Sequence, residues 1–222
     1  SDHYSSAYDM ALVARELVKH EDILKFTGTY EDYIRQDTNN SFWLVNTNRL
    51  VRFYTGVDGL KTGFTNEAGY CLTATAKKDN LRLITVVMNE PTSALRSSET
   101  SSMLDYGFNM YMIDQILTTD KVLDKIKVEL GKDEEVDIVA VEEVNILNNK
   151  NENKRDVTYE IEKYTVKAPV KIGDVVGKIN VIENNKVINT VDMTVTKDVD
   201  KASIFIVFIR NILNVIEGNL IF

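Results

Sequence analysis

The stretch that decides the fold is Gly59-Leu60-Lys61-Thr62-Gly63-Phe64-Thr65, followed by Ala68-Gly69-Tyr70 and by two apolar arms, Tyr70 to Ala76 and Leu81 to Met88. The arms are rich in β-branched and aliphatic residues. Lys77-Lys78-Asp79-Asn80 between them is polar and suited to a turn, so the pattern predicts a hairpin. Gly59 to Phe64 predicts a strand. Pro91 has no N–H for a ladder, so the second arm stops before it. Ser93 to Met112 carries Met103, Leu104, Phe108 and Tyr111 at helical spacing, which predicts a long helix. Upstream, Phe42 to Val45 is strand-like and the region before it, to about Asn40, is loose. A short helix is expected from Glu21 to just before Gly28. Tyr4 to His20 reads as an amphipathic helix capped by Ser5 or Ser6, with Asp9 in its first turn and Leu12, Ala14, Leu17 and Val18 facing a core. Helices flanking an antiparallel sheet make residues 1–112 an α+β domain.

The texture changes near Ile113. Short alternating strands are expected at Val122–Leu130, Val136–Val141, Val157–Val166, Val175–Ile182 and Lys186–Val195, with polar turns at Asn148–Lys154 and Glu183–Asn185. Strands at this spacing predict a small all-β, sandwich-like domain over 113–200. Residues 201–222 form a third piece, an amphipathic helix. Ser203, Arg210, Asn214 and Glu217 share one face, and the rest is mostly Ile, Phe, Leu and Val. At about 1.5 Å per residue the tail nearly reaches bilayer thickness, but a central arginine makes crossing costly. Two readings stay open: a helix lying in the plane of a membrane surface over 202–222, or a helix docked on a partner or on its own domain.

Composition narrows the function. The 222 residues carry a net charge of −8, split as −3 over 1–111 and −5 over 112–222. Neither half has the basic face that tracks phosphates, so nucleic acid is not an expected partner. Cys71 is the sole cysteine, which excludes an intrachain disulfide and a cysteine-rich zinc site; it is expected to be a small buried hydrophobe. His3 and His20 are the only histidines and have no ligand cluster at metal spacing, so structural roles are expected. Trp43 and the tyrosines are expected in the core or on a sheet surface. Glu134-Glu135 and Glu142-Glu143 read as solvated strand ends, not paired catalytic acids. The ten glycines are scattered and make no phosphate cradle. The opening Ser1-Asp2-His3-Tyr4 lacks the basic residues of a secretory leader.

One motif carries chemistry. Lys61-Thr62-Gly63 alone is a weak signal, because a strand-edge turn with a solvated lysine looks the same. Its surroundings are specific: Gly59-Leu60 before it, Phe64-Thr65 and Ala68-Gly69-Tyr70 after it, then the hairpin, then Asp105-Tyr106-Gly107-Phe108 late in a helix. With Tyr4-Ser5-Ser6-Ala7-Tyr8-Asp9-Met10 and Asn46-Thr47-Asn48, this order resembles the serine D-alanyl-D-alanine carboxypeptidases, the low-molecular-mass penicillin-binding proteins. Ala168-Pro169-Val170-Lys171-Ile172-Gly173-Asp174 resembles a turn of that family's C-terminal β domain, and the terminal helix is similar to its membrane anchor.

The resemblance implies a β-lactamase-like transpeptidase fold for the first part. It also implies removal of the terminal D-alanine from peptidoglycan stem peptides through an acyl-serine, with β-lactams acylating the same serine, and no metal or organic cofactor. Lys61 would supply a positive field for the substrate's carboxylate and Thr62 a hydroxyl to it. Gly63 would leave room for the substrate backbone, and the Phe64 N–H would form half of an oxyanion hole. Arg96 resembles an arginine facing that carboxylate, and it reads equally well as an exposed arginine at a helix start. The implied location is extracytoplasmic, at the outer face of the cytoplasmic membrane.

The chain departs from the family in one respect. It contains no Ser-x-x-Lys and no Ser-x-Asn. In the family both precede the helix that here begins near Tyr4, so the chain resembles the family's protein without its N-terminal part. Without the nucleophile no acyl-enzyme forms, and the chain alone is expected to be inactive. Exposed apolar surface is then expected, covered either by the remaining segment as a cleaved chain or by self-association. Two rival readings are a truncated non-catalytic scaffold that keeps the fold and a β-lactamase-like relative. The appended β domain weighs against the second rival.

Overall fold

The computed structural model describes residues 4–216 and divides them into two compact units, 1–113 with 149–152, and 114–148 with the remainder. His3, Glu217 and the end of the tail lie outside the described residues.

The first unit opens with helix α1 (Ala7–Leu17). Ser6 is its cap: Ser6 Oγ accepts from the Asp9 N–H at 3.1 Å and Asp9 Oδ2 accepts from the Ser6 N–H at 3.1 Å, a reciprocal capping box. Helix α2 (Glu21–Thr27) ends at Gly28. The stretch expected to be loose contains strand β1 (Glu31–Ile34), which pairs antiparallel with β2 (Phe42–Val45). Both faces of this ribbon are exposed. Trp43 therefore lies on a sheet surface rather than in the core, with its ring stacked on Tyr33. A single turn of helix, α3 (Leu50–Phe53), leads into β3 (Val57–Thr65), β4 (Gly69–Lys78) and β5 (Leu81–Glu90), an antiparallel sheet in that order. The turn between β4 and β5 uses Asp79 at φ 50°, a left-handed conformation that Asp and Asn tolerate.

Helix α4 (Ser93–Met110) starts at Thr92, whose Oγ1 accepts from the Leu95 N–H at 3.1 Å. It packs on β4 and β5. Gly107 allows the close approach, because a Cβ there would meet Leu83 Cδ1 at 2.5 Å. The core of this unit joins Leu50, Val57, Leu72, Ala74, Ala76 and Leu104. Arg82 ties β5 to β3: its guanidinium donates to both Asp58 carboxylate oxygens at 2.8 Å and to Thr75 Oγ1 at 2.9 Å.

Helix α1 differs from the expected stripe. Only Ala14 is buried; Leu12 and Leu17 are each 37% exposed. The face turned to the sheet is Met10, Val13, Ala14 and Leu17, and it lines an apolar groove of 230 Å³ with residues of β3, β4 and β5. The helix is amphipathic as predicted, but its neighbours do not fill the space beneath it.

In the second unit, β7 (Asp124–Glu129), β8 (Glu135–Ala140), β10 (Val157–Lys163), β11 (Val166–Lys167), β12 (Gly177–Glu183) and β13 (Lys186–Val195) make a six-stranded sheet in the order β10-β12-β13-β8-β7-β11. The preceding β6 (Tyr111–Leu117) pairs with β9 (Val144–Asn149) in a separate ribbon. Strict alternation fills the core: Val136, Ile138 and Ala140 on β8, Val144 and Ile146 on β9, Ile179 and Val181 on β12. β6 and β9 are not among the predicted strands. Tyr111–Leu117 follows α4 without a glycine or proline to mark the change. Val144–Asn149 is a short segment next to the polar run assigned to a turn.

The tail forms α5 (Ile204–Ile216). Ser203 Oγ accepts from the Ile206 N–H at 3.3 Å at its start. Arg210 holds the helix to its own unit by donating to the carbonyls of Gly131, at 2.7 Å, and Lys132, with Nε 2.8 Å from Glu134 Oε1. Ile204, Phe205 and Phe208 are exposed on the other side. No described helix is long and apolar enough to cross a membrane.

Candidate functional site

Lys61, Thr62, Gly63 and Phe64 all lie on β3, the edge strand of its sheet. Strand β4 covers one side of it: Lys61 faces Thr73, Thr62 faces Leu72, Gly63 faces Cys71 and Phe64 faces Tyr70. Among the described residues no strand pairs with the other side. The first half of β3 is buried and the second half, from Lys61, is largely open to solvent. This change is written in the sequence. Val57, Gly59 and Leu60 carry no charge and seat the strand, whereas Lys61 and Thr65 are polar and bring it to the surface.

Each residue offers a distinct group. Lys61 Nζ donates to the Thr62 carbonyl at 2.8 Å and makes no ion pair among the described residues, so its charge stays available. A Cβ on Gly63 would meet only the Cys71 Cβ, at 3.8 Å, so the flank of the strand is clear there. The Phe64 ring packs on Tyr70 with centroids 4.3 Å apart. Thr62 Oγ1 lies 2.6 Å from Thr47 Oγ1, a hydrogen bond across the site.

Arg96 sits in the first turn of α4 and is only 7% exposed, which removes the reading of a solvated arginine at a helix start. Its Nε has no hydrogen-bond partner, and among the described residues no carboxylate pairs with it. Burial pushes its pKa down, and the neighbouring Tyr70 and Cys71 oppose that shift. A buried guanidinium without an acceptor is costly, and an anionic ligand is the usual remedy. No hydrogen bond joins Arg96 to the β3 residues; Tyr70, packed against Phe64, is the group next to both.

Cys71 departs from its expected burial. It is half-buried, and its Sγ donates to the Ala68 carbonyl at 3.3 Å. Leu72 and Ala74 take the core face of β4, so strand alternation puts Cys71 with Thr73 on the opposite face, where both line the groove. Residues 46–48 also belong to the site and had been singled out only as part of a resemblance. Two amides flanking a hydroxyl, between a strand and a helix, were the signal available. Among the described residues no cluster of three His, Cys, Asp or Glu side chains forms a metal site.

Comparison with known proteins gives matches along most of the chain. Residues 1–92 match the family model for D-alanyl-D-alanine carboxypeptidase, and residues 111–201 match that for the penicillin-binding protein 5 C-terminal domain. The chain is similar to D-alanyl-D-alanine carboxypeptidase DacF of Bacillus subtilis, with 44% identity over 209 residues that cover 94% of this chain and 54% of that protein. Among solved structures, it resembles penicillin-binding protein 5 from Haemophilus influenzae at 29% identity and TM-score 0.59, covering 90% of this chain and 58% of that one. It also resembles a peptidoglycan synthesis regulatory factor (PBP3) from Streptococcus pneumoniae at 26% identity and TM-score 0.62, covering 88% and 57%. The chain spans about half the length of the curated relatives it matches. With residues 1–92 matching the peptidase region and residues 111–201 the C-terminal β domain, in that order, the chain is similar to the D-alanyl-D-alanine carboxypeptidases over both parts.

Proposed function

We propose that these residues form the Lys-Thr-Gly wall of a serine D-alanyl-D-alanine carboxypeptidase acting on peptidoglycan stem peptides outside the cytoplasm. The reading is carried by one observation: Lys61, Thr62 and Gly63 stand side by side on an unpaired strand edge, with a lysine charge, a hydroxyl and a clear flank. An extended peptide ending in D-Ala-D-Ala can lie along such an edge. Lys61 and Arg96 would draw its terminal carboxylate, Thr62 would donate to it, and the Phe64 N–H would serve the oxyanion. A serine Oγ attacks the penultimate carbonyl, the C–N bond breaks, and D-alanine leaves as the protonated amine. Water then releases the acyl group. β-Lactams would acylate the same serine.

The serine and its lysine come from a Ser-x-x-Lys that these 222 residues do not contain. In this proposal another segment supplies them and covers the apolar surface of the first unit, where Val13 is 59% exposed and Trp43 55%. The exposed side of α5 would rest on the membrane surface, as an in-plane amphipathic helix does.

A fluorescent penicillin and a denaturing gel test this. The expected result is no label on this chain and label on a polypeptide carrying Ser-x-x-Lys when the two are combined. Label on this chain itself would reveal an unrecognised nucleophile and overturn the assignment. No label on either would favour a non-catalytic scaffold.

A further inference from the structure

The Asn46-Thr47-Asn48 segment is pinned from both sides. Asn46 Nδ2 donates to the carbonyls of Thr27 and Thr29, both at 3.0 Å, and its Oδ1 accepts from the Asn48 N–H at 2.9 Å. Asn48 is 1% exposed; its Nδ2 donates to the Gly59 carbonyl at 3.1 Å and its Oδ1 accepts from the Leu50 N–H at 3.2 Å. The residue between them is therefore fixed without help from its own side chain. That side chain is the hydroxyl 2.6 Å from Thr62 Oγ1.

A hydroxyl has one proton and two lone pairs. Two hydroxyls in one hydrogen bond use one of their two protons. Among the described residues neither oxygen has a further protein partner, so one proton is left for a ligand. A hydroxyl that already accepts a bond is also the stronger donor.

We propose that Thr47 is a positioning residue for carboxylate recognition: it holds the Thr62 hydroxyl so that the unused proton faces the anionic end of a ligand on the Lys61-Thr62-Gly63 strand. The inference rests on the carboxylate-binding reading of that strand. A tie between loop and sheet is not what Thr47 is needed for, because the Asn46 and Asn48 amides already provide it.

The test compares diacetyl-L-lysyl-D-alanyl-D-alanine with the same peptide ending in a carboxamide, titrated into this chain and read by threonine methyl NMR. Thr47→Val should weaken binding of the carboxylate peptide about tenfold and leave the carboxamide peptide within about twofold. Thr47→Ser should restore the preference. Equal weakening of both peptides, or none, overturns the role of Thr47. If the unsubstituted chain binds neither peptide, the strand reading falls instead. The Thr62 methyl resonance of the free chain then still decides the hydroxyl pair: no shift in Thr47→Val means that the two do not bond.

Discussion

The two units handle apolar surface differently. The second encloses a cluster of eighteen buried residues drawn from β6 to β13 and their connections, although Ile172, Val187 and other large apolar side chains outside α5 stay exposed. The first, of similar length, gathers six, and its α1 and its β1–β2 ribbon present apolar groups to solvent on several sides. Alternating strands can complete a core within a short piece of chain, because each contributes one full face to it. A sheet with helices on both sides needs every helix present. The contrast leaves the first unit with the smaller core and the larger share of exposed apolar side chains.

Substitutions in each unit can break or sharpen this contrast. Trp43, the one tryptophan, reports on the first unit by fluorescence, and far-UV circular dichroism follows the strands of the second. The largest effect is expected from Ile138→Ala, at a position with no exposure, which should cost about 2–5 kcal/mol in urea unfolding. Leu17→Ala, facing the unfilled groove, should cost under about 1 kcal/mol; equal losses at the two sites would erase the distinction. Next comes Asp58→Asn, which leaves the partly buried Arg82 guanidinium short of a charged acceptor and should cost about 1–2 kcal/mol in the first unit alone.

Smaller effects depend on pH. The Tyr54 phenol is held above its ordinary value of 10.0, by burial first and then by its 2.6 Å bond to Asp105. The unfolded chain therefore loses this proton at lower pH than the folded one. Its contribution is complete below about pH 10 and is lost as pH climbs further, so Tyr54→Phe should flatten the alkaline decline of the tryptophan-reported transition. Glu183, hydrogen-bonded to Arg155, is held below its ordinary 4.5. Its contribution is present above that value and fades as pH falls, and Glu183→Gln should remove only that slight acid dependence in the second unit.

The sequence was most readable where local and long-range preferences agree. The β4–β5 hairpin has β-branched arms and an Asp-Asn turn that accepts positive φ. Helix α1 announces itself through Ser6 and Asp9. Lys61, Thr62, Gly63 and Phe64 were legible because they are consecutive on one strand. Arg96 was ambiguous, since its burial depends on α4 meeting β4 and β5, which no local pattern encodes. Thr47 was invisible as a functional group because its partner is fifteen residues away. Cys71 misled through its apolar neighbours, since strand alternation puts it on the face opposite the core residues Leu72 and Ala74.

Residues 149–152 belong to the first unit although the second supplies the chain on either side of them. Lys150 donates its N–H to the Met110 carbonyl at 2.8 Å and its Nζ to the Phe108 carbonyl at 2.7 Å, closing the open end of α4. During synthesis on a ribosome, the first unit therefore cannot finish when residue 113 emerges; it waits some forty residues for the group that terminates its last helix. A protease cut at that junction would likewise separate α4 from the chain segment that follows it without releasing a complete first unit.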